Sequence, residues 1–283
     1  MIVSLIIVSI STTVLQNYFF NTLSKTKLKT ASHLKRFNAL VYLVGAIMFG
    51  TLLTRESISV YTTLWGIVFG LVCALASFYK LCALSEGPMH ITLLVTTSSM
   101  IIPTLSGIFF GERFSPAKFA LVFVLIFFIY LSIQESSSSR INKKWFLFSL
   151  LSFIFQGAVG VVQKIHQTSV HKSEISTFLF VAFLCATVFY FFGSREKNKD
   201  TKPDKKSIFC GLLCGGFTFT MNFINLKLSG ILPSQLFFPL VNGTVIVLSS
   251  IMSAIVFKEK LSKRQMSGLV GGIITLIALC LVP

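Results

Sequence analysis

The chain has 283 residues, of which 54% are apolar and 12% charged, and its formal net charge is +16. Soluble domains carry roughly 25% charged residues, so this composition excludes an ordinary soluble globular protein. The charged residues fall in short breaks between apolar runs long enough for a helix to cross a bilayer, which takes about 20 residues. We interpret the basic residues as topogenic signals in loops rather than as a nucleic-acid-binding surface.

Ten uncharged runs follow one another along the chain, and each predicts a membrane-spanning helix, because a helix satisfies its own backbone hydrogen bonds in lipid. The runs do not alternate polar and apolar residues, which excludes a membrane β-barrel. The fifth run is short, but Lys118 beside it can extend its ammonium to the interface. The runs cover residues 1–24, 37–54, 57–79, 87–111, 119–134, 145–163, 175–194, 207–226, 228–257 and 265–283.

A short phrase occurs twice, as FGERFS at 110–115 and as FKEKLS at 257–262, each time between a long apolar run and a shorter one. Self-similarity at a fixed offset indicates a duplicated unit. We therefore predict a first five-helix repeat over residues 1–134, a polar linker over 135–144 and a second five-helix repeat over 145–283.

A GxxxG pattern also recurs, at Gly66 and Gly70 in the third run and at Gly211 and Gly215 in the eighth. Such glycines allow two helix backbones to approach closely. Because five is an odd number, a second repeat with the same fold must cross the membrane in the opposite direction. The predicted fold is an all-α membrane protein whose ten transmembrane helices form two inverted five-helix repeats, as in many secondary transporters.

Most Lys and Arg residues lie in the loops after the odd-numbered spans. Under the positive-inside rule these loops are cytoplasmic, which places both termini on the extracytoplasmic side.

None of the nine acidic residues lies in the middle of a span. This disfavours a proton-coupled exporter of lipophilic cations, which needs a buried carboxylate, and an intramembrane aspartyl protease, which needs two. The six cysteines lie inside apolar runs without the spacing of a metal site. We expect no cofactor and no metal, and an enzyme is the least favoured class.

Polar groups inside the spans indicate where a membrane protein acts. Lys80 and Lys227 occupy nearly pseudo-symmetric places near the ends of the third and eighth spans. Each either extends to the lipid headgroups or faces a central cavity and binds an anionic or zwitterionic group. The predicted substrate-binding residues are Lys80, Lys227, Asn222, Asn225, Asn242, Tyr79, Gln16, Asn17, Thr96 and Gln163.

Three further charged residues receive structural interpretations. Lys164, at the end of the sixth span, is expected to extend to the headgroups. Glu112 and Glu259 recur in the repeated phrase and are expected to support turns. In those turns Ser115 and Ser262 cap the following helices.

The GERFS phrase after a proline-containing fourth span resembles the drug/metabolite transporter superfamily in its ten-helix EamA-like branch. The FKEKLS phrase before a glycine-rich last helix resembles it too, so the likeness covers essentially the whole chain. It implies a central cavity formed mainly by the first, third and fourth helices of each repeat. The compact chain resembles a bacterial inner-membrane member.

Three functions remain open at this point. The favoured one is a secondary transporter that moves a small polar metabolite by alternating access. The substrate would be neutral, zwitterionic or anionic, and amino-acid-like or sugar/nucleotide-like. The alternatives are a non-transporting membrane subunit, which binds a partner through its GxxxG faces, and a lipid-headgroup flippase. The expected partners are a small-molecule substrate and the lipid bilayer, with no nucleic acid, and a homodimer is left open.

Overall fold

The computed structural model describes residues 1–26, 31–53, 57–86, 89–113, 115–132, 143–193, 205–256 and 262–282. Over these ranges the chain consists of helices and turns, with no strand. The helices are α1 (Ile2–Thr26), α2 (Ala31–Gly50), α3 (Val60–Glu86), α4 (Met89–Ser98), α5 (Ile101–Ser106), a 3₁₀ helix (Gly107–Phe110), α6 (Pro116–Ser132), α7 (Lys143–Thr168), α8 (Ile175–Gly193), α9 (Lys205–Ile231), α10 (Ser234–Val256) and α11 (Lys263–Leu281).

Each of the ten predicted spans contains a helix. Seven of the described helices are long and apolar enough to cross a membrane, and two shorter apolar helices cover Val95–Phe110 and Pro116–Ser132. The remaining span is α2, whose uncharged stretch is shortened by Lys35 and Arg36 near its start. The prediction of an all-α membrane protein is therefore confirmed.

The fourth predicted span is interrupted rather than continuous. Helix α4 ends at Ser98 and α5 begins at Ile101. Pro103 accounts for the interruption, because its nitrogen cannot donate to the Ser99 carbonyl and its ring crowds that carbonyl. The Ser99 carbonyl accepts instead from the Ile102 N–H, at 3.0 Å.

The two serines of the repeated phrase cap the helices that follow them, as predicted. The Lys118 N–H donates to the Ser115 hydroxyl at 3.5 Å, at the start of α6. Ser262 and Gln265 form a reciprocal capping box at the start of α11, in which each side chain bonds the other residue's backbone N–H. Glu259 lies outside the described residues.

The helices pack into two compact units. The first comprises Met1–Ala74 and Ile165–Leu228, and the second comprises Leu75–Lys164 and Ser229–Pro283. Each unit draws helices from both predicted repeats. Packing thus divides the chain differently from sequence repetition, and the repeat boundaries stay a prediction.

In the first unit, α2 packs on α8, and these are the second helices of the two predicted repeats. The Tyr42 and Tyr190 rings stack with centroids 5.8 Å apart. A Cβ on Gly50 would lie 3.4 Å from the ring of Phe180. Gly50 follows Tyr42 along α2, whereas Phe180 precedes Tyr190 along α8. The two helices therefore run in opposite directions, as inverted repeats require.

The GxxxG patterns lie at close helix contacts in this unit, as predicted. A Cβ on Gly66 of α3 would lie 2.9 Å from the Phe178 carbonyl oxygen of α8. A Cβ on Gly211 of α9 would lie 2.5 Å from a methyl carbon of Leu40 of α2. Thus the third helix of each repeat packs against the second helix of the other.

In the second unit, α6 packs on α11, and these are the fifth helices of the two predicted repeats. Gly268 lies against Ser132, and Gly271, further along α11, lies against the earlier residue Phe128. This pair is antiparallel too. The buried apolar core of the unit consists of Met100, Val122, Leu125, Ile129, Val247, Leu269, Leu276 and Leu279.

Candidate functional site

Three of the predicted site residues meet along the contact between α1 and α9 in the first unit. Ser9 donates a hydrogen bond to Asn225 Oδ1. Gln16 Nε2 donates to the Thr218 hydroxyl at 2.8 Å, and Asn222 Nδ2 donates to the Thr218 carbonyl at 2.9 Å. We call these five residues the amide seam.

Each amide of the seam keeps one polar atom without a hydrogen-bond partner among the described residues. These atoms are Gln16 Oε1, Asn222 Oδ1 and Asn225 Nδ2. All three side chains are half-buried. The seam therefore offers two acceptors and one donor to a polar ligand.

Two other predicted residues of the first unit take no part in the hydrogen bonds of the amide seam. Asn17 is half-buried beside Gln16 on α1. Lys227 is exposed near the end of α9, and its ammonium lies 4.4 Å from the ring centroid of Phe223, one turn earlier. A cation held over an aromatic face is stabilised by the ring quadrupole.

In the second unit, Tyr79 is fixed by aromatic contacts with α7. Its ring stacks on Phe155 with centroids 5.7 Å apart and on Phe148 with centroids 6.2 Å apart. Lys80 follows, half-buried within α3, which continues to Glu86. No described residue forms an ion pair or hydrogen bond with the Lys80 ammonium. A positive charge inside a membrane span thus lacks a protein anion in the described part of the chain.

The other predicted residues of the second unit occupy different environments. Thr96 is buried on α4, and its carbonyl accepts from the Ser99 hydroxyl at 2.6 Å. Gln163 on α7 is buried, and Asn242 on α10 is exposed.

Sequence reasoning missed an ion pair between Lys164 and Glu112 in the second unit. The Lys164 ammonium also donates to the carbonyl oxygens of Ser229, at 2.9 Å, and Leu232, at 3.2 Å. The Lys164 side chain is 6% exposed and that of Glu112 is 16% exposed. The expectation that Lys164 extends to the headgroups is therefore wrong, because protein oxygens replace water around its charge.

Glu112 has the structural role expected of it, although it supports another helix. Its carboxylate accepts from the Ser234 N–H at 2.6 Å and from the Ser234 hydroxyl at 3.1 Å, at the first residue of α10. In return Gln235 of α10 accepts from the Ser115 N–H at 3.0 Å. A carboxylate is favourable there because a helix N-terminus carries unsatisfied N–H groups and a partial positive charge. The recurrence of the Glu phrase was the only sequence signal for this contact.

Another carboxylate, that of Glu174, is buried in the turn between α7 and α8 of the first unit. It accepts from the Ser57 hydroxyl at 3.1 Å, the Ser59 hydroxyl at 2.6 Å and the Ser59 N–H at 3.1 Å, and it pairs with His171 at 3.1 Å. Burial by itself would raise the pKa of Glu174, but hydrogen bonds from Ser59, Thr62 and His171 lower it to about 2. The charged carboxylate thus holds the residues just before α3 against the turn between α7 and α8.

The fold and these sites define a class of protein. Equivalent helices run in opposite directions, and apolar helices contain amides and a lysine with no anionic partner in the described part of the chain. These features are typical of secondary transporters.

Residues 143–281 match the sequence profile of the EamA-like transporter family. The second half of the chain therefore belongs to that family, and the protein is a membrane transporter of the drug/metabolite transporter type. The resemblance inferred from the repeated phrase is confirmed.

A protein of known crystal structure superposes on this one with a TM-score of 0.77, covering 98% of this chain and 96% of the other. The two are 14% identical in sequence, so the likeness shows the fold alone. No curated protein sequence matches this chain significantly.

Proposed function

We propose that this transporter moves a small polar metabolite with an anionic or zwitterionic group, amino-acid-like or sugar/nucleotide-like, by alternating access. The observation that carries the proposal is Lys80, a half-buried lysine inside a membrane-spanning helix with no anionic partner among the described residues. The neutral members of the predicted substrate range would not use this charge.

Energetics support a binding role for Lys80. A lysine at the centre of a membrane helix costs about 2.5–3.5 kcal/mol on insertion scales. Lys80 lies nearer the end of its span, where the cost is smaller, but lysines inside membrane spans usually pair or line a wet path. A carboxylate or phosphate of a substrate would neutralise the ammonium during transport. The two stacking contacts of the neighbouring Tyr79 with α7 limit rotation of α3 about its own axis at this position.

The amide seam supports a polar substrate independently of Lys80. Amides can both donate and accept hydrogen bonds, so Gln16, Asn222 and Asn225 suit the mixed polar groups of amino acids and sugars. Their three remaining polar atoms lie on two neighbouring helices, α1 and α9.

The alternative of a non-transporting subunit is weakened by the packing. That hypothesis uses the GxxxG faces to bind a partner. The glycines of α3 and α9 already face α8 and α2 within the first unit.

Uptake by purified protein in liposomes tests the proposal. A panel of radiolabelled amino acids, sugar phosphates and nucleotides identifies the substrate, and Lys80→Ala and Lys80→Arg are then compared with wild type. Losing an ion pair with substrate costs at least about 2 kcal/mol, so Lys80→Ala should reduce kcat/KM at least roughly thirtyfold.

The matched control is Lys144→Ala, which removes an exposed lysine at the start of α7. It should transport as wild type does, and Lys80→Arg should keep part of the activity. Unchanged transport in Lys80→Ala would contradict the proposal. Movement of fluorescent lipids alone, with no solute uptake, would instead favour the flippase.

A further inference from the structure

The Lys164 ammonium lies among oxygen atoms of the kind that hold a monovalent metal ion. Its contacts include a Glu112 carboxylate oxygen and the carbonyl oxygens of Ser229 and Leu232. Ser229 belongs to the last turn of α9, where carbonyls lack helical partners, and Leu232 follows the end of that helix. Helix C-terminal ends and unwound carbonyls coordinate coupling cations in other transporters.

We propose that these oxygens form a monovalent-cation site and that the Lys164 ammonium occupies it as a tethered ion. The ammonium is enclosed by protein oxygens, because the Lys164 side chain is nearly fully buried and both of its carbonyl contacts have hydrogen-bond length. The inference goes beyond the proposed function and does not depend on the identity of the substrate.

The charges of the pair match the two helix ends that they contact. The ammonium of Lys164, a residue of α7, contacts the C-terminal end of α9, which carries a partial negative charge. Glu112 lies at the N-terminal end of α10, which carries a partial positive charge. The ion pair therefore fixes the turn between α9 and α10, with each charge favourable at its own helix end.

A tethered cation has a functional consequence. A site filled by a side chain needs no Na⁺ or K⁺ from the medium to hold this turn. Removing the ammonium alone leaves the largely buried Glu112 carboxylate beside carbonyl oxygens, which is an anionic site with the size of the missing group. Removing both charges leaves a neutral turn, which is less costly than a largely buried carboxylate that has lost its cation.

The test is chemical rescue of Lys164→Ala, measured as the apparent Tm of the purified protein in detergent. The added compound is n-propylammonium, which is the fragment that this substitution removes. Tetramethylammonium at equal concentration is the control, since it carries the same charge but donates no hydrogen bond. Wild type and Lys144→Ala are the protein controls.

We expect Lys164→Ala to melt roughly 10 °C below wild type. Propylammonium should raise its Tm saturably, because ligands that bind only the folded state stabilise it. It should leave wild type and Lys144→Ala unchanged. An equal rise with tetramethylammonium, no rise at all, or a wild-type Tm in Lys164→Ala would overturn the proposal.

A second variant keeps the proposal testable should Lys164→Ala fail to accumulate. The double variant Glu112→Gln/Lys164→Met removes both charges and should accumulate and melt above Lys164→Met. It should not respond to propylammonium, because the anionic site is gone. A double variant no more stable than Lys164→Met would count against the tethered cation.

Discussion

Gly215 of α9 lies so close to Val44 of α2 that a Cβ atom built on it would be 2.5 Å from the Val44 Cβ. The next residue, Gly216, would place its Cβ where no atom of the described residues, other than the adjacent backbone of α9 itself, lies within 4 Å. Two adjacent glycines of one helix therefore differ completely in what they allow. Gly215 permits close helix contact, whereas Gly216 does not need to be glycine for packing.

This difference predicts opposite effects of the same substitution. Gly215→Ala forces α2 and α9 apart and should lower the apparent Tm of the purified protein by several degrees, because overpacking costs about 1–3 kcal/mol. Gly216→Ala should leave Tm unchanged or raise it slightly, since alanine loses less backbone entropy in a helix. Equal Tm values for the two variants would contradict the contact.

The lowered pKa of Glu174 predicts acid sensitivity of the fold. Because the pKa falls from 4.5 to about 2 on folding, the charged carboxylate stabilises the protein above pH 4.5, and this stabilisation is lost as the pH falls toward 2. Glu174→Gln should therefore lower Tm at pH 7, and its difference from wild type should shrink as the pH is lowered to 3. A difference that is constant over this range would rule out the carboxylate as its source.

The hydrogen bonds of the amide seam predict that one substitution lowers both stability and transport, whereas another lowers transport alone. Asn225→Ala leaves the fully buried Ser9 hydroxyl without its side-chain acceptor, which costs about 1–3 kcal/mol, so both Tm and transport should fall. Asn222→Ala loses only a bond to its own helix, so transport should fall while Tm stays near that of wild type. Comparing Tm with liposome uptake for both variants checks this, and normal uptake by Asn222→Ala would exclude it from substrate binding.

The distribution of Lys and Arg predicts the orientation in the membrane. With both termini extracytoplasmic, alkaline phosphatase fused after residue 282 should be active and green fluorescent protein at the same place should be dark. Fusions in the loop between α8 and α9, which is rich in lysine, should give the opposite result. A fluorescent C-terminal fusion would show that the orientation is reversed.

Several features of the protein could be predicted without the structure because they depend on residues close together in sequence. A run of apolar residues sets where a helix crosses the bilayer, and an odd number of helices per repeat requires inversion. The GxxxG pattern marks a face where backbones approach, whichever helix supplies the contact. Ser115 and Ser262 cap helices a few residues away, so their role could also be inferred.

The tertiary structure alone decided which distant groups meet. Glu112 bonds Ser234, and Lys164 reaches the carbonyls at the end of α9, through contacts between parts of the chain that no local pattern connects. In the same way Gln16 reaches the Thr218 hydroxyl because α1 packs on α9. A side chain near a span end can reach headgroups or a buried partner with the same local sequence. Only the positions of neighbouring helices determine which environment has the lower free energy.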